Sequence, residues 1–177
     1  REQLAKELQA IGLTGEPLAL ADGMFYPTGD NFLQLISFLG CSPMIELEPP
    51  ADRTALPAAS AAGKFCHLFL NCTESLSFRA DSQSPPPRCP ECRQPVTDWQ
   101  TAIEAWEGNR TQTGWQCTHC GFAGQLTELQ FRKTAGFGRT FIEIRGIYPS
   151  EAVPTDALLS RLQHLTGGPW KTIYLRE

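Results

Sequence analysis

Hydrophobic residues recur along this chain with two spacings, one typical of helices and one typical of strands. Leu4, Leu8 and Ile11 follow at i, i+4 and i+7, so they share one face of a predicted helix over residues 1–11, a pattern unlike that of a signal peptide. Apolar runs predict strands at "KFCHLFLNC", "SLSFRAD" and "GRTFIEIRGIY". The first two runs predict a hairpin that turns around residues 71–74. We therefore expect an α+β fold.

Two segments of the chain match each other, which predicts an internal repeat. Residues 25–47, "FYPTGDNFLQLISFLGCSPMIEL", and residues 147–175, "IYPSEAVPTDALLSRLQHLTGGPWKTIYL", both read as strand, Tyr-Pro turn, Asp-capped helix, loop and strand. We expect a duplicated β-α-β core, for which a ferredoxin-like arrangement is one candidate; a chance match of two short amphipathic helices is the alternative. The gapless part of the match pairs Leu33 with Leu159, Ile36 with Leu162, Leu39 with Leu165 and Pro43 with Pro169.

Four of the seven cysteines form two Cys-x-x-Cys pairs, in "RCPECRQPV" and "WQCTHCGFAG". Zn²⁺ prefers four ligands in a tetrahedron, and two such turns folded against each other deliver four thiolates. Pro90 stiffens the first turn, and Gly121 after the second tolerates a positive φ. The predicted metal ligands are Cys89, Cys92, Cys117 and Cys120.

In "CPEC" and "CTHC", with Trp115 and Phe122 beside the second pair, this segment resembles the zinc-ribbon family. The resemblance covers only residues 87–136 and implies a structural Cys₄ zinc site, because four thiolates leave no open position for a catalytic water. An iron centre of rubredoxin type uses the same four sulfurs. A redox-active Cys-x-x-Cys is a further alternative, although that motif usually occurs as a single pair. We interpret His119 as a solvated turn residue rather than a ligand.

The composition on either side of this segment marks it as an insertion. "DSQSPPPR" reads as a stiff linker into the ribbon, and the glycines of "TAGFG" read as its exit. We expect a discontinuous α+β core made of residues 1–86 and 137–177, which carries the internal repeat, and a zinc-ribbon insertion at residues 87–136. "ALPAASAAGK" reads as a loop of the core.

Three tryptophans of the insertion are candidates for a binding surface. In "TDWQTAIEAWEG", Thr97 and Gln100 have capping-box spacing and Trp99 and Trp106 share a helical face, which predicts a helix. Trp99, Trp106 and Trp115 either pack into a core or form an exposed aromatic face, and Trp is enriched at binding hot spots. We expect a protein partner that binds through the ribbon.

The charge pattern disfavours a nucleic-acid partner. The chain has a net charge of −4, and residues 88–136 contain five basic and five acidic residues, so the ribbon lacks the basic excess that releases counterions from phosphates. A transcription or translation accessory that contacts nucleic acid is therefore the second alternative. No apolar run approaches the ~20 residues that a membrane-spanning helix needs. Because an odd, uneven set of cysteines is a poor disulfide framework, whereas paired Cys-x-x-Cys motifs fit a reducing compartment, we expect a cytoplasmic protein.

The sequence offers little for catalysis. It contains no phosphate loop, dinucleotide fingerprint, nucleophile elbow or His-Glu-x-x-His motif. Cys66 and His67 are adjacent on a predicted strand, so their side chains point to opposite faces and cannot form a dyad. Cys41 reads as a small residue at a helix end, and Tyr26 and Tyr148 as ordinary turn residues. We expect a non-catalytic protein; an enzyme with a cleft between core and ribbon is the third alternative.

Overall fold

The computed structural model describes residues 1–20, 23–39, 45–148 and 150–176, and it confirms the α+β class. The helices are α1 (Glu2–Ala10), α2 (Phe32–Leu35), α3 (Leu56–Ala61), α4 (Trp99–Gly108) and α5 (Asp156–Thr166), with 3₁₀ turns at Arg53–Ala55 and Leu126–Glu128. The strands are β1 (Leu18–Leu20), β2 (Gly23–Pro27), β3 (Ile36–Phe38), β4 (His67–Ala80), β5 (Gly114–Gln116), β6 (Ala123–Gln125), β7 (Ala135–Arg145) and β8 (Ala152–Pro154). Among the described helices, none has the length and apolar character that a membrane crossing requires.

The chain forms two compact units. The first unit comprises Arg1–Leu76 and Gly138–Thr172, and the second comprises Ser77–Phe137 and Ile173–Glu177. The second unit includes the whole predicted insertion and also the C-terminal residues, which the sequence pattern assigns to the core. The strand order is β1-β2-β4-β7 in the larger sheet, while β3 pairs with β8 and β5 pairs with β6.

The first unit has an apolar cluster on each face of its sheet. Successive residues of β4 point to opposite faces, so Leu68 and Leu70 join one cluster and Phe69 joins the other. The larger cluster includes buried side chains of α1 and α5, namely Leu8, Leu158 and Leu162. The smaller one contains Phe25, Phe65, and Leu56 and Ala59 of α3. Both clusters are built from residues of the first unit alone.

The structure does not show the expected duplication. In the first segment α2 has only four residues and is followed by β3, whereas the matched residues of the second segment continue through the 11-residue helix α5. Leu33 and Leu39 are 58% and 64% exposed, so their helical spacing does not mark a buried helix face. β3 falls within the predicted helix and lies in a different sheet from β2, and residues 45–47, the end of the predicted second strand, are not in a strand. Cys41 and Pro43 lie outside the described residues.

The larger sheet likewise does not follow the expected ferredoxin-like plan. Its first two strands are antiparallel neighbours, with Leu18 opposite Phe25, rather than parallel strands joined by a helix. β2 then pairs antiparallel with β4, with Tyr26 opposite Leu68. The observed fold is therefore α+β without that topology in the described residues.

Two local predictions are wrong for identifiable reasons. The predicted hairpin around residues 71–74 is one continuous 14-residue strand, β4, in which Asn71 Nδ2 donates to Glu143 Oε1 of β7 at 2.6 Å. The pairing partner therefore lies about 70 residues further along the chain. The predicted loop "ALPAASAAGK" contains α3, because Pro57 lies in the first helical turn, where its missing N–H costs nothing, and alanine favours helix.

Other helix predictions are confirmed with small shifts at their ends. The helix α1 occupies the predicted N-terminal segment, and α4 follows Asp98 rather than a Thr97 capping box. The N-cap of α5 is Thr155, whose Oγ1 accepts a hydrogen bond from the N–H of Leu158 at 3.3 Å. The same helix ends at Gly167 in the left-handed region with φ of 71°.

The second unit is organised around the aromatic residues of α4. Trp99 and Trp106 are 5% and 3% exposed. The ring centroid of Trp99 lies 5.4 Å from that of Phe131, and the ring centroid of Trp106 lies 5.3 Å from that of Phe137. Phe78 completes this aromatic cluster, with its centroid 4.8 Å from that of Phe137. The predicted helix is thus packed as the core of this unit.

Asp81 fixes the C-terminal segment within the second unit. Its carboxylate accepts hydrogen bonds from the backbone N–H of Gln83 at 2.7 Å and of Arg176 at 2.9 Å. These two amides hold the pKa of Asp81 below its usual value. The N–H of Tyr174 also donates to the carbonyl of Lys133 at 2.6 Å. The end of the chain is therefore an integral part of this unit.

Candidate metal centre

The structure brings the four predicted ligands, Cys89, Cys92, Cys117 and Cys120, together. Their Sγ atoms all lie within 4.8 Å of one another. The Sγ atoms of Cys89 and Cys120 are 3.8 Å apart, and those of Cys92 and Cys117 are 3.7 Å apart. Tetrahedral Zn²⁺ with Zn–S bonds of about 2.3 Å separates its sulfurs by about 3.8 Å, whereas a disulfide needs about 2.05 Å. The geometry fits one metal ion bound by four free cysteines.

The two Cys-x-x-Cys turns have the same backbone hydrogen bonds. We call residues 89–93 the first knuckle and residues 117–121 the second knuckle. In each, the N–H of the first cysteine donates to the carbonyl five residues later, and the N–H of the last residue donates back to the carbonyl of that cysteine. These bonds are Cys89 to Gln94 at 3.0 Å, Arg93 to Cys89 at 3.0 Å, Cys117 to Phe122 at 2.8 Å and Gly121 to Cys117 at 2.9 Å.

The last residue of each knuckle has a positive φ, which closes the turn. Gly121 has φ of 75° and Arg93 has φ of 60°. The sequence indicates Gly121 because glycine adopts this region freely, but nothing in it singles out an arginine. Arg88 supports the first knuckle, since its Nη1 donates to the Arg93 carbonyl at 2.9 Å. The left-handed conformation of Arg93 is thus stabilised by a local hydrogen bond that its backbone carbonyl accepts.

Backbone amides also point at the cysteine sulfurs. The N–H of Cys120 and then that of His119 lower the pKa of the Cys117 thiol to about 7. The N–H of Gln94 lowers the pKa of Cys92, but burial and the other three sulfurs outweigh it and raise that pKa to about 12. Without a metal, the Cys92 thiol therefore keeps its proton at neutral pH, whereas the Cys117 thiol is partly ionised. A bound cation would displace the remaining protons and leave the amides to stabilise the thiolates.

The four sulfurs differ in their access to solvent. Cys89 and Cys117, the first cysteine of each knuckle, are 0% and 3% exposed. Cys92 is half-buried, and Cys120 is exposed. His119 is also exposed and lies outside the group of four, in agreement with its interpretation as a turn residue. The first cysteine of each knuckle is therefore more buried than the second.

Only one of the three candidate tryptophans is available at the surface of the second unit. Of the two alternatives for Trp99 and Trp106, the structure supports packing into a core and not an exposed face, because both rings are buried in the aromatic cluster. Trp115 is half-buried, and its ring centroid lies 6.1 Å from that of Phe122. Its Nε1–H donates to the carbonyl of Gln125 at 2.9 Å, which fixes the ring across the β5–β6 hairpin.

The candidate catalytic residues of the first unit are enclosed. Cys66 is fully buried, and burial raises the pKa of its thiol to about 12, which makes it a poor nucleophile at neutral pH. His67 is fully buried as well. Its Nδ1–H donates to the Phe65 carbonyl at 2.9 Å, so its Nε2 accepts from the hydroxyl of Ser60 at 2.8 Å. Ser60 is 6% exposed, so this pair satisfies buried polar groups rather than reaching a substrate.

The sequence does not reveal the Ser60–His67 pair, because Ser60 lies in a stretch that reads as a loop. The two tyrosines of the Tyr-Pro turns differ, since Tyr26 is 5% exposed and Tyr148 is 74% exposed. A small apolar cleft in the first unit is lined by Leu18, Pro49, Pro50, Ala51 and Leu56, and it includes neither tyrosine, Cys66 nor His67.

The four-cysteine group is thus the arrangement in the described residues that carries recognisable chemistry. Comparison with known proteins adds no further assignment: no family model, no curated protein and no solved structure matches this chain.

Proposed function

We propose that Cys89, Cys92, Cys117 and Cys120 hold one structural Zn²⁺ and that the second unit is a metal-stabilised module that contacts another protein. The observation that carries the proposal is the grouping of four sulfurs at distances that suit a tetrahedral ion. Four protein thiolates fill the coordination sphere, so the ion has no position for a substrate or a reactive water. The role is therefore structural and non-catalytic.

The position of the ligands in the chain explains why a metal would matter to this unit. The first knuckle precedes α4 and the second follows it, so the ion closes a loop that contains the whole of this helix. Closing that loop limits the freedom of the unfolded chain and holds the knuckles on the hairpin formed by β5 and β6. Zinc binding would then contribute directly to the folding free energy of the second unit.

The surface beside the second knuckle supports a protein contact. The N–H of Cys117 donates to the carbonyl of Phe122, and the N–H of Leu126 donates to the carbonyl of Thr113. In an antiparallel pair, every second residue directs its N–H and C=O groups at the partner strand, so those of Gly114 and Gln116 point away from β6. Both residues are exposed. An extended segment of a partner protein can pair with this strand edge while it packs on the half-buried ring of Trp115. The ribbon is neutral, which argues against nucleic acid.

Metal analysis of the purified chain tests the zinc site. Protein prepared without chelator should carry one zinc per chain by elemental analysis, and cobalt substitution should give the absorption of a tetrahedral thiolate site. Cys117→Ser should lose the metal, whereas Cys72→Ser, which changes a half-buried thiol of the first unit, should keep it. Absence of stoichiometric metal, or disulfides in the freshly reduced protein, contradicts the proposal. Stoichiometric iron in place of zinc would show that the same four cysteines bind iron.

Site-specific photo-crosslinking in the native cell tests the contact surface. A photoreactive amino acid at position 115 should capture a defined protein, while the same group at position 148 of the first unit should not. Gln116→Pro should abolish the crosslink without loss of zinc, because proline removes the outward N–H of β5. Equal capture from both positions contradicts a specific surface on the ribbon.

The thiol chemistry also suggests the compartment. Four thiolates that must stay reduced to hold zinc fit the cytoplasm, where disulfides rarely persist. Trapping of free thiols with an alkylating reagent in intact cells, followed by mass spectrometry, tests this; extensive disulfide formation in the trapped protein contradicts it.

A further inference from the structure

We propose that Cys120 is the ligand through which hydroperoxides act on the centre, and that its oxidation forms a Cys89–Cys120 disulfide and releases the metal. This inference rests on the proposed zinc site. It gives the site a second property, because the same cysteines that bind zinc would respond to oxidants of the peroxide class by releasing the zinc.

The first step follows from solvent access. Peroxide must contact a sulfur in line with its O–O bond, so a buried thiolate is protected by the side chains around it. Cys89 and Cys117 are 0% and 3% exposed, and Cys92 is half-buried, whereas Cys120 is exposed. The neighbouring residues Thr118 and His119 are exposed as well, so Cys120 lies in an exposed part of its knuckle. Cys120 is therefore the expected site of the first oxidation.

The second step follows from distance. Attack of the Cys120 thiolate on hydrogen peroxide breaks the O–O bond, forms a sulfenic acid and releases hydroxide, which takes a proton to become water. The sulfur of Cys89 lies 3.8 Å from that of Cys120, so it is within reach of the oxidised sulfur. The Cys89 thiolate can attack this sulfenic sulfur and displace its oxygen as a second water.

The overall reaction balances. Two thiolates, one hydrogen peroxide and two protons give one disulfide and two waters, and the two electrons pass from the sulfurs to the peroxide. Oxidation would leave Cys92 and Cys117 as the remaining thiolates, and because two thiolates do not complete the coordination of zinc, the ion would be released. The new bond joins the first knuckle to the second, as the metal does, so oxidation would exchange one cross-link of the ribbon for another.

The experiment uses the full chain loaded with zinc. Hydrogen peroxide is added in steps, zinc release is followed with a chromogenic chelator, and the reaction is stopped by alkylation for peptide mapping. We expect one zinc released for each peroxide consumed, a Cys89–Cys120 disulfide as the main product, and full recovery of zinc binding after reduction. A main product within one knuckle, either Cys89–Cys92 or Cys117–Cys120, overturns the proposed partner.

Two ligand substitutions isolate the role of Cys120. Cys120→His keeps four zinc ligands but removes the exposed sulfur, and we expect peroxide to release zinc about tenfold more slowly. Cys92→His is the matched variant, because it also gives a Cys₃His site but retains Cys89 and Cys120; peroxide should release its zinc faster than that of Cys120→His. Equal rates for wild type and Cys120→His overturn the proposal.

A second measurement uses only the wild-type protein, so that it tests the proposal even where the substituted proteins do not bind zinc. In the wild-type protein, brief exposure to isotope-coded alkylating reagents before and after denaturation ranks the accessibility of the four sulfurs. We expect Cys120 to be modified first, and modification of Cys89 or Cys117 before it overturns the proposal. If the starting protein has no stoichiometric metal, the zinc site itself fails, and this is seen before any oxidant is added.

Discussion

The two units of this protein are stabilised by different means. The first unit buries aliphatic and aromatic side chains on both faces of a sheet, and its two clusters involve α1, α3 and α5. The second unit has one long helix, an aromatic cluster around it and two knuckles of four sulfurs. With the proposed metal bound, the second unit would draw stability from the ion as well as from its aromatic cluster, whereas the first unit relies on its apolar clusters. The comparison predicts that perturbations affect one unit at a time.

The largest single-substitution effect is expected at Gly146 of the first unit. A Cβ at this position would overlap the carbonyl oxygen of Phe65, and the residue has φ of 75°. We expect Gly146→Ala to lower the free energy of unfolding of the first unit by about 3 kcal/mol, because both the contact and the backbone conformation oppose a side chain. Gly168→Ala is the control, since nothing lies within 4 Å of its added Cβ. Chemical denaturation measures both, and equal effects would show that the close approach to Phe65 does not matter.

A smaller effect is expected from the buried pair of the smaller apolar cluster. Ser60→Ala removes the hydroxyl that faces His67 Nε2 and should cost about 2 kcal/mol, because a buried polar atom loses this hydrogen bond. The double substitution Ser60→Ala with His67→Phe should recover part of the loss, since it removes both polar partners from an aromatic surrounding. Denaturant midpoints of the first unit decide this. A double variant less stable than Ser60→Ala would contradict the interpretation, and zinc content should not change in either protein.

The knuckles of the second unit offer a reciprocal pair of substitutions. Gly121→Ala should destabilise the zinc-bound second unit by about 1 kcal/mol, because φ of 75° strains any side chain while the space around its Cβ is open. Arg93→Gly should stabilise it by about 0.5 kcal/mol, since relief of the same strain is partly offset by the freedom of glycine in the unfolded chain. Competition with a chelator of known affinity measures both effects. Effects of the same sign would contradict the equivalence of the two knuckles.

The smallest effect concerns Asp81 and depends on pH. Backbone amides lower its pKa in the folded state, so its carboxylate stabilises the second unit above the unfolded value of about 4, and this contribution disappears as the pH falls through the folded pKa. Asp81→Asn should therefore be less stable than wild type at neutral pH, and the difference should shrink in acid. Both proteins carry the same cysteines, so metal loss in acid affects them alike. A difference that grows in acid would contradict this assignment.

The cysteine group of the site could be predicted from local sequence, but the pairing of the strands and the burial of side chains could not. Two Cys-x-x-Cys turns identify four sulfurs because ligand spacing is fixed by a few neighbouring residues. The predicted repeat is not observed because Leu33 and Leu39 have the spacing of a buried helix face but are exposed. The spacing of apolar residues alone does not reveal whether they are buried. The hairpin at residues 71–74 failed because β4 pairs with the distant β7. Likewise, only packing reveals that Trp99 and Trp106 are core residues while Trp115 reaches the surface.

The claim that one metal stabilises the second unit and leaves the first intact is tested most directly by amide hydrogen exchange. The zinc-loaded chain and the same chain after treatment with a strong chelator would be compared by mass spectrometry at peptide resolution. We predict that α4, β5 and β6 lose protection on zinc removal, while peptides of α1, α5 and residues 67–70 of β4 keep theirs. Simultaneous loss of protection in both units, or unchanged protection of α4, would contradict the claim.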